Sequence, residues 1–268
     1  MASMIVDATL VARVEASSAL CNAATAETFG AVEPIGTGFM VALGPGRYIN
    51  RTLGAGLCDL TPAELDRMER FYRDHGVAPA IEVTSWTPSA TIEMLGERGY
   101  RGAWFRNVYL RPPDPAGLPT PSSAVDIRRV DDSLLADWLE TLAVGNDLVS
   151  DESRAISDEF ARARLPIADS DAFLACVDGR PAGSGSLERR DGIGWVGGAA
   201  TQPWCRGRGT QTALLVHRIR LAADLGCEFV AATAIPDGTS ARNLARVGFQ
   251  LVYTQLVMAQ PALLSVDG

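Results

Sequence analysis

The stretch CRGRGTQTALLVHRIRLAADLG, residues 205–226, sets Arg206, Gly207, Arg208 and Gly209 directly ahead of an apolar helical pattern. The first turn of a helix leaves its backbone N–H groups without partners and carries partial positive charge, and glycine lets a ligand approach the main chain closely. Arg206 and Arg208 add formal charge on either side of Gly207. Residues of these types in this order suit a phosphate or pyrophosphate, held by Arg206, Gly207, Arg208 and Gly209 with Thr210 and Gln211 at the helix start.

Three phosphate-binding chemistries compete. A P-loop needs a G-x-x-x-x-G-K-[ST] run, which the sequence lacks. A dinucleotide fingerprint needs a third glycine where Thr212 stands, and an acid at the end of the next strand, where FVAATAI offers Thr233 and Ala234. Its sheet would also be parallel, whereas Asp178-Gly179 and Asp191-Gly192 predict tight hairpins between antiparallel strands. A coenzyme A site remains. The strand before the turn, GWVGGAAT, is made of small residues from Gly198 to Thr201, which suit either a pantetheine arm along the backbone past Ala199 and Thr201 or tight packing against a neighbouring helix.

The elements that must position this turn divide the chain in two. Residues 113–123, PDPAGLPTPSS, have the composition of a stiff linker. They separate a first domain over 1–112 from a second over 124–268. In the first, TPAELDRMERFYRDHG reads as a helix with Thr61 at the N-cap, Pro62 in the first turn, Glu64 closing a capping box, Leu65, Met68 and Tyr72 on one face, and Gly76 at its end. An internal echo links the halves: LGERGYRGAWF at 95–105 and LARVGFQLVYT at 244–254 each end a helix on Gly followed by an aromatic, Gly99-Tyr100 and Gly248-Phe249. The order of strands and helices is alike in both, which predicts a duplicated α+β domain.

Composition narrows the function. A formal net charge of −8 argues against nucleic acid or anionic lipid as partner, since both require a concentrated positive field. The start, MASMIVDATLVARVEASSALC, lacks a basic leader and is interrupted by Asp7, Arg13 and Glu15, so it is expected to be part of the fold, and no run is long and apolar enough for a membrane span. Five scattered cysteines without a C-x-x-C pair fit reduced thiols in a cytoplasmic protein, and two histidines, His75 and His217, are too few for a histidine-based metal centre.

Residues 126–258 resemble a GCN5-related N-acetyltransferase (GNAT) domain. Arg206 and Gly209 match that family's Q/R-x-x-G-x-G/A loop, while Gln211 departs from its last small residue. The family's N-x-x-A-x-x-x-Y-x-x-x-G-F ending is met by Ser240 and by Gly248-Phe249, with Asp237 in place of the Asn and Leu244 in place of the Tyr. The first half resembles such a domain only weakly. Its corresponding helix start, CDLTPAEL, is closed to anions by Thr61, Pro62, Glu64 and Asp59. The resemblance implies a tandem α+β protein, each domain a mixed, largely antiparallel sheet flanked by helices, with one acetyl-CoA per chain as cosubstrate and no metal.

It also implies transfer of an acetyl group to the amine of a small molecule, with a base for the ammonium proton and an acid for the thiolate. No acid lies in VGGAAT or FVAATAI, so the base is expected from Glu188, from Glu82 in the first half or from water. Tyr253 is the nearest tyrosine to the vacated position and is expected as the general acid, or else as a packed tyrosine with its hydroxyl satisfied. Asn243 is placed to bond the pantetheine arm or to face solvent, and Trp204 to wall the coenzyme or pack. Arg218 is out of place among Leu214, Leu215 and Leu221, and is expected to be ion-paired or to extend its stem to solvent. A reading from another class is a non-catalytic acyl-CoA-binding protein in which acid and base have been lost.

Overall fold

The computed structural model describes residues 6 to 261 of the 268-residue chain. Contacts divide it into two compact units: the first takes the chain as far as Val108 and resumes at Val252, and the second is Tyr109–Leu251. Among the described residues there are seven α-helices and eleven strands.

The first unit runs α1 (Ala8–Ala26), β1 (Ala31–Ile35), β2 (Gly38–Ala42), β3 (Arg51–Leu53), α2 (Pro62–Asp74), β4 (Ala80–Thr84), α3 (Ser89–Glu97) and β5 (Arg101–Arg111), the last of which continues into the second unit. The second unit runs β6 (Val125–Arg129), α4 (Leu135–Gly145), α5 (Asp151–Arg164), β7 (Ser170–Val177), β8 (Arg180–Arg190), β9 (Ile193–Thr201), α6 (Thr210–Asp224), β10 (Phe229–Ala234) and α7 (Thr239–Arg246). The final strand, β11 (Gln250–Ala259), begins in the second unit and belongs to the first from Val252 onward.

In the first unit β1, β2 and β3 are antiparallel neighbours, β3 pairs with β4 in parallel at Thr52↔Ile81, and β11 runs antiparallel to β4 from Gln255↔Thr84 to Ala259↔Ala80. Helix α2 forms as its sequence predicts. Thr61 Oγ1 accepts from Glu64 N–H at 3.3 Å while Glu64 Oε2 accepts from Thr61 N–H at 2.8 Å, and Leu65, Met68 and Tyr72 face the core. That core joins them to Met40, Ile81, Leu95, Tyr100 and Met258.

In the second unit the strand order is β10-β9-β8-β7-β6. Both predicted hairpins are present. Asp178 and Gly179 have φ of 52° and 75°, and Asp191 and Gly192 have 50° and 73°, the paired left-handed conformations of a tight turn that joins β7 to β8 and β8 to β9. Leu214, Leu215, Val216 and Ile219 of α6 and Leu244 of α7 pack with Leu187 and Val196. A second cluster sets Trp138, Leu139 and Leu142 of α4 and Ala161 of α5 against Leu174 and Ala200. At about 1.5–3 kcal/mol for each large aliphatic side chain buried, these two clusters are the main source of the unit's stability.

The echo between the halves is a shared helix ending. Gly99 and Gly248 both adopt positive φ, 80° and 86°, and the buried Tyr100 and Phe249 that follow donate their N–H groups back to Leu95 O and Leu244 O. The linker is not where the compact units part. Residues 112–124 form no helix or strand, yet they lie within the second unit: Leu118 packs on its core, and the Arg111 guanidinium ties Pro112 O and Asp114 O to Val247 O. A proline-rich composition predicts stiffness, and here the stiff segment is strapped down instead of spanning a gap.

Candidate functional site: a glycine loop at a helix start

Gly209 is the N-cap of α6 with φ of 81°, Gly207 has φ of 77°, and neither has another atom within 4 Å of where a Cβ would stand. The glycines are therefore required by backbone conformation, and the space beside them is open. No side chain caps α6 and its first turn holds no acid. The N–H groups of Gly207, Gly209, Thr210, Gln211 and Thr212 find no acceptor among the described residues, so a row of backbone donors and the positive end of a four-turn helix face the same open side. Arg206 is exposed and reaches Asp147 in the turn after α4 at 3.3 Å, a surface ion pair that an anionic ligand can replace at small cost. Arg208 is exposed too, and the guanidinium groups of Arg180 and Arg208 lie 4.4 Å and 5.9 Å from the Trp204 ring, so Trp204 packs between two cations. Cys205 is fully buried against Thr210 Oγ1 at 3.2 Å, which fixes the loop's root and removes that thiol and that hydroxyl from ligand contact.

The strand leading into the loop is bent. Ser186 of β8 pairs with Gly197 of β9 and Ser184 pairs with Ala200, so Gly198 and Ala199 together stand opposite Gly185 as a bulge, with Gly198 at φ of 57°. Parallel pairing between β9 and β10 stops at Trp195↔Ala231, although β10 continues to Ala234. The bulge lies beyond the last parallel pair, and the exposed Ala199 and half-buried Thr201 are on this stretch of β9 that does not pair with β10. Gln211 is used differently from the expectation: its Nε2 donates to Ala200 O at 2.5 Å and Ser184 O at 3.3 Å, so its side chain braces the strand and only its backbone N–H faces the open side. Asn243 Oδ1 accepts from Arg246 on its own helix at 2.8 Å.

The equivalent place in the first unit is filled. Gly56, in the segment from β3 to α2, lies so close to β4 that a Cβ there would overlap Glu82 O, and the helix start beyond it is occupied by the Thr61–Glu64 capping box. Two of the backbone donors of that helix start, Thr61 N–H and Glu64 N–H, are thereby taken.

The expected acid and base are each buried and already partnered inside their own unit. Glu188 is in the second unit, buried on β8, with its carboxylate 2.8 Å from Arg164 of α5. Glu82 and Tyr253 both belong to the first unit. Glu82 is buried between Arg51 at 2.7 Å and Arg106 at 3.1 Å. Tyr253 is buried edge-on to Trp86, and its hydroxyl donates to Glu15 Oε1 at 2.6 Å; burial and that carboxylate push its pKa well above the usual tyrosine value. A hydroxyl so held is a poor proton donor to a leaving group, and the alternative of a packed tyrosine with a satisfied hydroxyl describes it. Leu244, at the position of the lost tyrosine, is part of the apolar core. His217 packs against Phe173 at 4.8 Å, and burial together with the nearby Arg218 and Arg220 pushes its pKa below the usual value.

One buried group escaped the sequence, and another is held differently from what the sequence suggests. Glu15 accepts from Tyr253 and from Gln255 Nε2 at 2.7 Å inside the first unit, and burial together with the nearby Glu82 pushes its pKa up to about 7. Its only sequence signal is a carboxylate among the small and apolar residues of α1. Arg218 makes no ion pair among the described residues and does not reach solvent; it is 1% exposed and bonded to three backbone carbonyls. Among the described residues no three His, Cys, Asp or Glu side chains come close enough to hold a metal, and no helix is long and apolar enough to cross a membrane.

Comparison with known proteins agrees with this geometry. Residues 138–249 match the model of the acetyltransferase (GNAT) family, which uses acetyl-CoA. No curated protein matches by sequence. Among solved structures, a GCN5-related N-acetyltransferase from Kribbella flavida superposes with a TM-score of 0.70 at 18% identity, over 93% of this chain and 95% of that one. One from Sphaerobacter thermophilus gives 0.58 at 17%, over 78% and 71%. A tandem GNAT protein from the clavulanic acid biosynthesis pathway gives 0.58 at 13%, over 83% and 73%. At these identities the likeness is one of fold, and with the family match it places the loop at 206–211 in a known architecture. Residues 138–249 thus match the GNAT acetyltransferase family, in a chain whose fold is that of GNAT proteins, tandem ones included.

Proposed function

We propose that the second unit binds acetyl-CoA and transfers its acetyl group to the amine of a small molecule. The observation that carries this reading is the uncapped start of α6, with Gly207 and Gly209 opening the main chain, at the end of a strand that bulges away from its parallel neighbour. The pyrophosphate would lie on the N–H groups from Gly207 to Thr212 with Arg206 and Arg208 beside it, and the pantetheine along Gly198–Thr201.

In the reaction the amine nitrogen forms a bond to the acetyl carbon, the carbon–sulfur bond breaks, and the ammonium proton is given up. Glu188 is the candidate carboxylate of this unit, and water is the other acceptor. The sulfur leaves as a thiolate and takes its proton from water, because Leu244 offers no hydroxyl and that of Tyr253 is held by Glu15. An alkyl thiol has a pKa of about 8.5, so its anion is a tolerable leaving group without a dedicated acid.

Release of free thiol from acetyl-CoA across a panel of small amines tests transfer, and release that depends on the amine is the expected result. Arg206→Glu should weaken acetyl-CoA binding more than about tenfold, or about 1.4 kcal/mol, because it sets a second negative charge next to Asp147 where the pyrophosphate would sit. Tight binding with no thiol release from any amine would favour a coenzyme-binding protein over an enzyme, and an unchanged affinity in Arg206→Glu would remove the loop from the site.

A further inference from the structure

Arg218 is a full charge in the interior of the second unit. Among the described residues its acceptors are all main-chain oxygens: Leu214 O at 3.0 Å from Nε, and Ser186 O and Gly197 O at 3.0 Å and 2.9 Å from Nη1. Nη2 has no partner, and burial pushes the guanidinium down to about 9, which leaves it charged at neutral pH. An uncompensated buried cation is costly, and an apolar side chain of similar length would fill the same space without that cost.

The position of those acceptors shows what the charge is used for. Ser186 and Gly197 are the last cross-strand pair before the bulge, and the residue between them and the next pair, Gly185, has no side chain: a Cβ there would stand 2.7 Å from the Arg218 Cζ. The carbonyls that follow are also caught by side chains, Gly198 O by Ser184 Oγ at 2.8 Å and Ala200 O by Gln211 Nε2. Three side chains thus take up oxygens of the β9 segment that bends, and of the two that reach both strands Gln211 holds the end beyond the bulge while Arg218 holds the end before it.

We propose that Arg218 is a positioning residue for the acyl end of the coenzyme site: it clamps β8 to β9 at Ser186 and Gly197 and so fixes the bulge against which the pantetheine and thioester lie. The inference rests on the coenzyme reading given above. It also separates the site into two parts, a loop that binds the nucleotide phosphates by its own backbone and a strand whose shape depends on Arg218.

The test is a calorimetric titration with two compounds, acetyl-CoA and phospho-ADP, the nucleotide half that keeps the pyrophosphate and lacks pantetheine. In Arg218→Met, acetyl-CoA affinity should fall about tenfold or more while phospho-ADP affinity stays within about twofold of wild type. Arg218→Lys, which keeps a charge and donors to the carbonyls, should restore most of the loss. Ser184→Ala should shift the same balance by a smaller factor. Equal loss of both compounds in Arg218→Met would mean a structural residue only, and loss of neither would leave the bulge independent of it; either result overturns the proposal. If Arg218→Met does not fold, the other two variants decide, and wild-type ratios of the two affinities in both of them overturn it. A wild-type protein that binds neither compound instead refutes the coenzyme reading, and this inference falls with it.

Discussion

Replacing Glu15 by glutamine should stabilise the first unit, and by an amount that grows with pH. Glu15 is buried, near Glu82, and its pKa is pushed from an ordinary 4.5 to about 7. A raised carboxyl pKa means that the folded state holds the proton more tightly than the unfolded chain does. The stability this confers is complete below 4.5 and is lost as pH climbs through about 7, after which the loss is constant. At about 1.4 kcal/mol per pH unit, the interval corresponds to about 3 kcal/mol. A glutamine side chain at this position would carry no charge to bury, and its oxygen would still accept from Tyr253 and Gln255, which now donate to Glu15 at 2.6 Å and 2.7 Å. Those bonds weaken when the acceptor loses its charge, by about 1 kcal/mol, which leaves a net gain of about 2 kcal/mol at about pH 8. Urea unfolding of wild type and Glu15→Gln at about pH 5 and about pH 8 measures it, and taking the difference between the two proteins cancels every other titrating group. The gain should be small or reversed at the lower pH and clear at the higher. A difference that does not change with pH would show that Glu15 is already ionised and paired, with Arg106 the cation that favours its charge, and would refute the reasoning.

Two further outcomes follow from the same geometry. Titration with acetyl-CoA should saturate at one molecule per chain, since the Thr61–Glu64 capping box and the packing of Gly56 on β4 close the first unit to anions; calorimetry showing two equivalent sites would contradict this. Tyr253→Phe should leave the transfer rate within about twofold while costing about 1 kcal/mol or more of stability, because it removes one of the two hydrogen bonds to Glu15; a fall in kcat of about a hundredfold would return Tyr253 to the mechanism.

What the sequence disclosed was governed by rules that act over a few residues. The Asp-Gly hairpins, the Thr61 capping box, the glycine endings at Gly99 and Gly248 and the open loop at Gly207 and Gly209 each depend on backbone conformations that only certain residues adopt. What it withheld depends on partners far along the chain. Tyr253 meets Glu15 across 238 positions, and no spacing rule connects them. Arg218 is expected from its sequence to find a carboxylate or water, and finds carbonyls of its own helix and of the two strands beside the bulge. Gln211 stands where a small residue belongs in the family's loop, and its side chain reaches β9 behind the loop. In each case the residue type was informative and its direction was not.

The division of β11 between the units bears on how the protein is made. The second unit is one unbroken stretch, Tyr109–Leu251, whereas the first contains β4 and β5 from early in the chain and, between them in strand order, the segment of β11 that begins at Val252. As the polypeptide leaves the ribosome from its N-terminus, the early residues emerge first but lack that strand until the whole second unit has been synthesised. The part translated second is therefore the first that can close its sheet. The part translated first must wait with an open edge beside β4, the kind of exposed strand to which chaperones and neighbouring nascent chains attach.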